Sequence, residues 1–99
     1  MKLLLLVFRS TFESAVLRIL DSLKLPGYTE APQVYGTGAM GPVFDSHAWP
    51  GFNGMVLSAL SEEDARRVVD ALAHFAQTRE KDGEHMPIRI FSVPCEQLL

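Results

Sequence analysis

Asp45 and His47 stand two residues apart and offer an oxygen and a nitrogen, donor types that bind divalent metals. A tight site takes three or four ligands, so His74, Glu84, His85 or a neighbouring subunit would have to complete it. The competing reading is an Asx-type turn at Asp45-Ser46 with His47 as an ordinary loop residue. Just upstream, Gly36-Thr37-Gly38-Ala39-Met40-Gly41 has the GxGxxG spacing of dinucleotide-binding turns. That chemistry needs a helix opening at the glycines so that its amides meet a pyrophosphate, whereas Pro42 and more loop follow here. The glycines can still offer backbone N–H groups to an anion, or serve only turns that need positive φ. Trp49-Pro50-Gly51 reads as a turn bearing an aromatic anchor. Glu62-Glu63-Asp64 suits the start of a helix, where acid favours the dipole, better than a catalytic dyad. Cys95 has no His nearby in sequence and no Ser–His–Asp spacing is recognisable, so no enzymatic function is expected.

These residues fall mostly in one stretch, Gly36 to Gly54, which holds five of the seven glycines (Gly36, Gly38, Gly41, Gly51 and Gly54) and the only tryptophan. It also carries Met40, Val43, Phe44, Trp49 and Phe52, too apolar for a solvated spacer. The elements that must hold such a loop are legible on either side. Lys2 to Phe8 is a continuous apolar run that reads as a central strand buried on both faces. Ser10 with Glu13 gives a capping-box pattern, followed by Phe12, Ala15, Val16, Ile19, Leu20 and Leu23 on one helical face, and Leu25-Pro26-Gly27 closes that helix. Tyr28 to Tyr35 alternates and contains Pro32, which predicts an edge or interrupted strand. After the loop, Met55 to Leu60 predicts a buried strand antiparallel to the one before it. Ser61 with Asp64 caps a second helix with an Ala65, Val68, Val69, Leu72, Phe75, Ala76 stripe. A polar segment from Thr78 to Pro87 then precedes a last strand, Ile88 to Val93, stopped by Pro94.

The order predicts an α+β, ferredoxin-like βαββαβ sandwich, with a four-stranded antiparallel sheet, two helices on one face and a long loop between the second and third strands. Leu3, Leu5 and Val7 point opposite to Leu4, Leu6 and Phe8, so a monomer would expose an apolar sheet face, which predicts a homo-oligomer that packs its sheets together. Ninety-nine residues suit a single domain over residues 1–99. Nine Lys/Arg against twelve Asp/Glu give a formal charge of −3 with no basic run, which argues against nucleic acid and anionic membrane as partners. The apolar run at Leu3–Phe8 ends at Arg9 without a cleavage site, and no run approaches the roughly 18 residues that span a bilayer. With Cys95 as the sole cysteine, a cytoplasmic protein without direct membrane insertion is expected.

Gly27-Tyr28-Thr29, Val34, Gly36-Thr37-Gly38 and Gly41, entering a long loop, together with Arg89-Ile90-Phe91 and Val93, resemble PII signalling proteins. Ser46-His47-Ala48-Trp49-Pro50-Gly51-Phe52-Asn53 is similar to a divergent PII-like branch with a His-x-Trp-Pro-Gly-x-Asn loop motif. The resemblance implies a homotrimer with sheets facing a central interior and an adenine nucleotide or other small anion in the cleft between subunits. The loop, with Phe44, Asp45, His47, Trp49, Pro50, Gly51 and Asn53, would act on a transporter, enzyme or regulator. It further implies Thr29 beside the adenine, Gly36, Thr37, Gly38 and Gly41 at the loop base, and Arg89 at the phosphates. Three departures from the family pattern stand out. Arg79 to Pro87 replaces the second Gly-rich phosphate loop, keeping Asp82-Gly83 but adding acid and length. Ala39 and Met40 occupy the place of a Gln in nucleotide-sensing members. Tyr35 lies before the loop, which therefore lacks an acceptor tyrosine for uridylylation. The alternative is a CutA-like trimer that handles metal through Asp45 and His47 without a nucleotide.

Overall fold

Alternation along two central strands sets the architecture. In the computed structural model, which describes residues 1–38, 41–43, 52–81, 83 and 88–99, β1 spans Lys2–Arg9, α1 Glu13–Ser22 and β2 Thr29–Val34. A short ribbon follows, β3 at Gly36–Gly38 and β4 at Gly41–Val43, then β5 at Asn53–Leu60, α2 at Glu62–Lys81 and β6 at Ile88–Pro94. The four long strands form an antiparallel sheet in the order β2-β5-β1-β6, so β1 and β5 are central and β2 and β6 are edges. Both helices pack on one face, giving the α+β ferredoxin-like arrangement expected.

Leu4, Leu6 and Phe8 of β1 and Val56 and Leu60 of β5 point to the helices and meet Val16 and Leu20 of α1 and Ala65, Val68 and Leu72 of α2. The opposite parity is not covered within the chain. Leu3, Leu5 and Val7 are only half-buried, and Phe91 and Val93 of β6 are 54% and 52% exposed. The expectation of strands buried on both faces therefore fails for the single chain, because one layer of helices covers only one set of alternating side chains.

Several boundaries move. The Ser10–Glu13 capping box does not form: Ser10–Phe12 is a 3-10 turn and no side chain caps α1. Ser10 is drawn to the loop exit instead, its N–H donating to the Phe52 carbonyl at 2.8 Å while its Oγ accepts from the Phe52 N–H at 3.4 Å. Helix α1 stops at Ser22, where Lys24 takes a left-handed φ of 57°, before Leu25-Pro26-Gly27 is reached. The second cap forms as expected, with the Asp64 N–H donating to Ser61 Oγ at 3.1 Å. Helix α2 outruns its apolar stripe to Lys81, since Thr78 to Lys81 contains no breaker, and Gly83 at φ 84° follows. Val69, placed in the stripe, is 40% exposed. Arg67 ties the helices, donating to the Leu23 carbonyl at the end of α1 at 2.7 Å and pairing with Asp64 at 2.8 Å.

The last glycine of the loop stretch has a packing role. Gly54 pairs with Phe8 across β5 and β1, and a Cβ there would lie 2.6 Å from Phe8 Cε2 and 2.9 Å from Cζ. Phe8 is 1% exposed and has no room to retreat. Gly54→Ala should therefore cost about 1–3 kcal/mol by overpacking, read as a lower urea midpoint at unchanged slope.

Candidate functional site

Of the residues singled out in the sequence that the structure describes, Thr29 lies on one edge strand of the four-stranded sheet, Gly36–Gly38 and Gly41 form the ribbon that follows that strand, and Arg89 lies on the other edge. Thr29 opens β2 and pairs with Leu57, which places it on the uncovered face of the sheet. The turn before it is held from two sides. Tyr28 donates its hydroxyl to Asp21 Oδ1 at 2.7 Å, and buried Ser58 donates its hydroxyl to the Gly27 carbonyl at 2.6 Å. The hydrogen bond to Asp21, burial, and the charges of Asp21 and Glu30 together raise the Tyr28 pKa above its ordinary value.

Past the end of β2 lies the loop base. Gly36, Thr37 and Gly38 are not open loop but form an antiparallel ribbon with Gly41–Val43, paired Gly36↔Val43, Thr37↔Pro42 and Gly38↔Gly41. Tyr35, expected at the end of the strand, instead separates β2 from β3 and is 64% exposed. Asn53, placed with the loop, opens β5 opposite Arg9, and its Nδ2 is 3.5 Å from where a Gly36 Cβ would sit. Phe44, Asp45, His47, Trp49, Pro50 and Gly51 lie outside the described residues, as do Glu84 and His85. Among the described residues no group of three His, Cys, Asp or Glu side chains is placed to hold a metal ion, and His74 is exposed on α2.

Arg89 lies on the far edge. It sits on β6 opposite Val7, exposed, with its side chain on the uncovered face. Strand order puts three inter-strand steps, roughly 14 Å, between its strand and that of Thr29. The ladder also fixes its height: the row Ala31, Met55, Val7, Arg89 lies between the row of Thr29 and Leu57 and the row of Val34, Asn53 and Arg9. One chain thus does not bring Thr29 and Arg89 together, while Arg89 stands level with the middle of the edge strand that carries Thr29. Arg9 was missed in the sequence. It ends β1 one step of the same parity beyond Val7, diagonal to Arg89, and only the strand register reveals that two arginines share this end of the face.

The match that decides the family is broad. The model of the family described as Nitrogen regulatory protein P-II matches residues 1–99. The chain belongs to this family. Among solved structures, it resembles CPII, a nitrogen regulatory PII-like protein from Thiomonas intermedia K12 bound to ADP, AMP and bicarbonate. That match has a TM-score of 0.66 at 16% identity over 93% of this chain and 84% of that one. The apo form of CPII aligns at 0.60 and 15% identity over 93% and 87% of the chains. A putative PII-like signalling protein from Thermus thermophilus aligns at 0.63 and 24% identity over 93% and 83%. Comparison with curated protein sequences finds no match. The PII-like chain is thus placed in a family of regulators by its family match, and its fold is that of the PII-like neighbours. No helix among its described residues is long and apolar enough to cross a membrane.

Beneath the edge strand lies a titratable pair. Glu30 takes the helix-facing parity of β2, opposite buried Val56, and its Oε2 is buried with no hydrogen-bond partner among the described residues. Burial first, then a hydrogen bond with Glu13 and the negative charge of Glu13, raise its pKa above the ordinary carboxylate value. A raised folded-state pKa means that the fold prefers protonated Glu30: this stability is complete below the unfolded value of about 4.3 and is lost as pH rises through the folded one. Glu30→Gln should accordingly raise the urea midpoint at pH 7, and the gap to the unsubstituted chain should close as the pH falls below about 4.

Proposed function

We propose that this chain is a single-domain, non-enzymatic PII-like regulator, assembled as a homotrimer, that binds an adenine nucleotide in the clefts between subunits and signals through the stretch from Gly36 to Gly54. The observation that carries the reading is the division of the site. Thr29 lies on one edge strand of the sheet, which runs on into the Gly36–Gly38 ribbon, and Arg89 lies on the other edge. A ligand that uses both must lie between two copies, the β2 edge of one facing the β6 edge of the next. The uncovered face supports the same assembly, since Leu3, Leu5, Val7, Met55, Leu57, Phe91 and Val93 form a contiguous apolar surface. Fully burying one such side chain is worth roughly 1.5–3 kcal/mol, so covering this surface favours association by several.

The ligand class follows from charge. The chain is net negative, yet Arg89 is exposed at the loop end of the uncovered face, where its guanidinium can meet an anion. Adenine nucleotide and bicarbonate, both bound by the Thiomonas intermedia protein, are the anions to test first. Ligand contacts made in only one arrangement of the loop would shift its population and so alter docking on a partner protein, a transporter, an enzyme or another regulator.

Trp49, the only tryptophan, lies within the loop stretch and reports on it directly. Titration with ADP, AMP and bicarbonate, followed by tryptophan fluorescence with light scattering for mass, should show a trimer and a saturable nucleotide-dependent change. Arg89→Ala should weaken ADP binding by about 10- to 100-fold, the cost of one charge-assisted contact. A monomer at micromolar concentration, or ADP binding that Arg89→Ala leaves intact, contradicts the reading.

A further inference from the structure

The two edges of the sheet differ in how they can pair. Edge β6 keeps an unbroken register with β1 from Lys2↔Pro94 to Phe8↔Ile88, carries no proline before its last residue, and presents Arg89 as its one charge. It is an edge of the kind that accepts another strand. Edge β2 is interrupted. Its ladder with β5 runs Thr29↔Leu57, Glu30↔Val56, Ala31↔Met55 and resumes at Val34↔Asn53, so Pro32 and Gln33 stand against a single residue, Gly54. That is a bulge of one extra residue, and Pro32 within it has no N–H to donate. Pro32 and Gln33 are both exposed, so packing within the chain does not demand the proline. The interruption lies between the Ala31 row and the Val34 row, beside the height of Arg89 on the opposite edge.

We infer that Pro32, with the bulge it occupies, is a positioning residue that stops the β2 edge of one copy from zipping onto the β6 edge of the next, and so keeps the ligand cleft open beside Arg89. The inference rests on the trimeric reading above. Two bare edges brought side by side by closure of the uncovered faces would gain a continuous ladder of hydrogen bonds, and that ladder would fill the space a nucleotide needs. A missing donor and a local kink at this height remove that outcome. The role is one of spacing, and Pro32 need not touch the ligand.

The test is Pro32→Val, which restores the N–H and suits an edge strand, with Pro32→Ala as a second variant that restores the N–H with less strand preference. Mass, thermal midpoint and ADP affinity are measured for both and for the unsubstituted chain. The inference predicts trimers with a raised midpoint and ADP binding weakened at least about tenfold, more for valine than for alanine. A proline of merely structural value would move both readouts down together, and that result overturns the inference. So does unchanged ADP affinity in a folded trimer, and so does failure of both variants to fold. Those outcomes leave the trimeric reading standing if the unsubstituted chain is a trimer that binds ADP. An unsubstituted chain that is monomeric or does not bind ADP refutes the trimeric reading and the inference with it.

Discussion

A single layer of helices can bury only one parity of a strand, and the rest of this molecule follows from that limit. Leu4, Leu6, Phe8, Val56 and Leu60 are consumed by α1 and α2. Leu3, Leu5, Val7, Met55 and Leu57 are equally apolar and are left without a cover inside the chain. Surface of that kind exacts a cost in water, and the assembly proposed for the family member removes it. The same geometry decides where binding can occur. With the helices on one face and, in the proposed trimer, neighbouring copies on the other, the positions left for a ligand would be the edges, where Thr29 and Arg89 lie.

The loop is anchored to this frame at its exit more firmly than composition suggested. Ser10 exchanges backbone and side-chain hydrogen bonds with Phe52, and Gly54 lies under the Phe8 ring. Loop exit, first strand and first helical turn therefore form one packed unit. At the entry, β2 is bulged against β5, and β3 and β4 pair with each other rather than with the four-stranded sheet.

Much of the fold was legible because the hydrophobic periods are clean. The runs at Leu3–Phe8 and Met55–Leu60 gave both central strands, the 3- and 4-residue spacings gave both helices, and Pro32 correctly marked β2 as an edge. What was not legible depends on contacts across the chain. Ser10 looked like a cap because Glu13 follows it, but the β1–β5 ladder reaches far enough to take its hydrogen bonds for Phe52. GxGxxG hides a ribbon because hairpin pairing depends on a partner strand, not on the glycines alone. Arg9 could not be joined to Arg89, nor Arg89 set apart from Thr29, until strand order was known. Glu30 gave no signal at all, since an alternating strand does not reveal which carboxylate the helix will cover.

The central claim is that each binding site is shared between two subunits, and mixing two inactive chains tests it most directly. Thr29→Glu and Arg89→Glu alter opposite edges of the sheet, so each alone should abolish ADP binding while keeping the fold. After the two are co-refolded in equal amounts, random trimers with sites between the edges should recover about one quarter of the unsubstituted binding capacity at unchanged affinity, because a quarter of the clefts then pair two intact edges. Recovery of no sites, with mixed trimers verified by mass, would contradict the shared site and return the search for a ligand to the single chain.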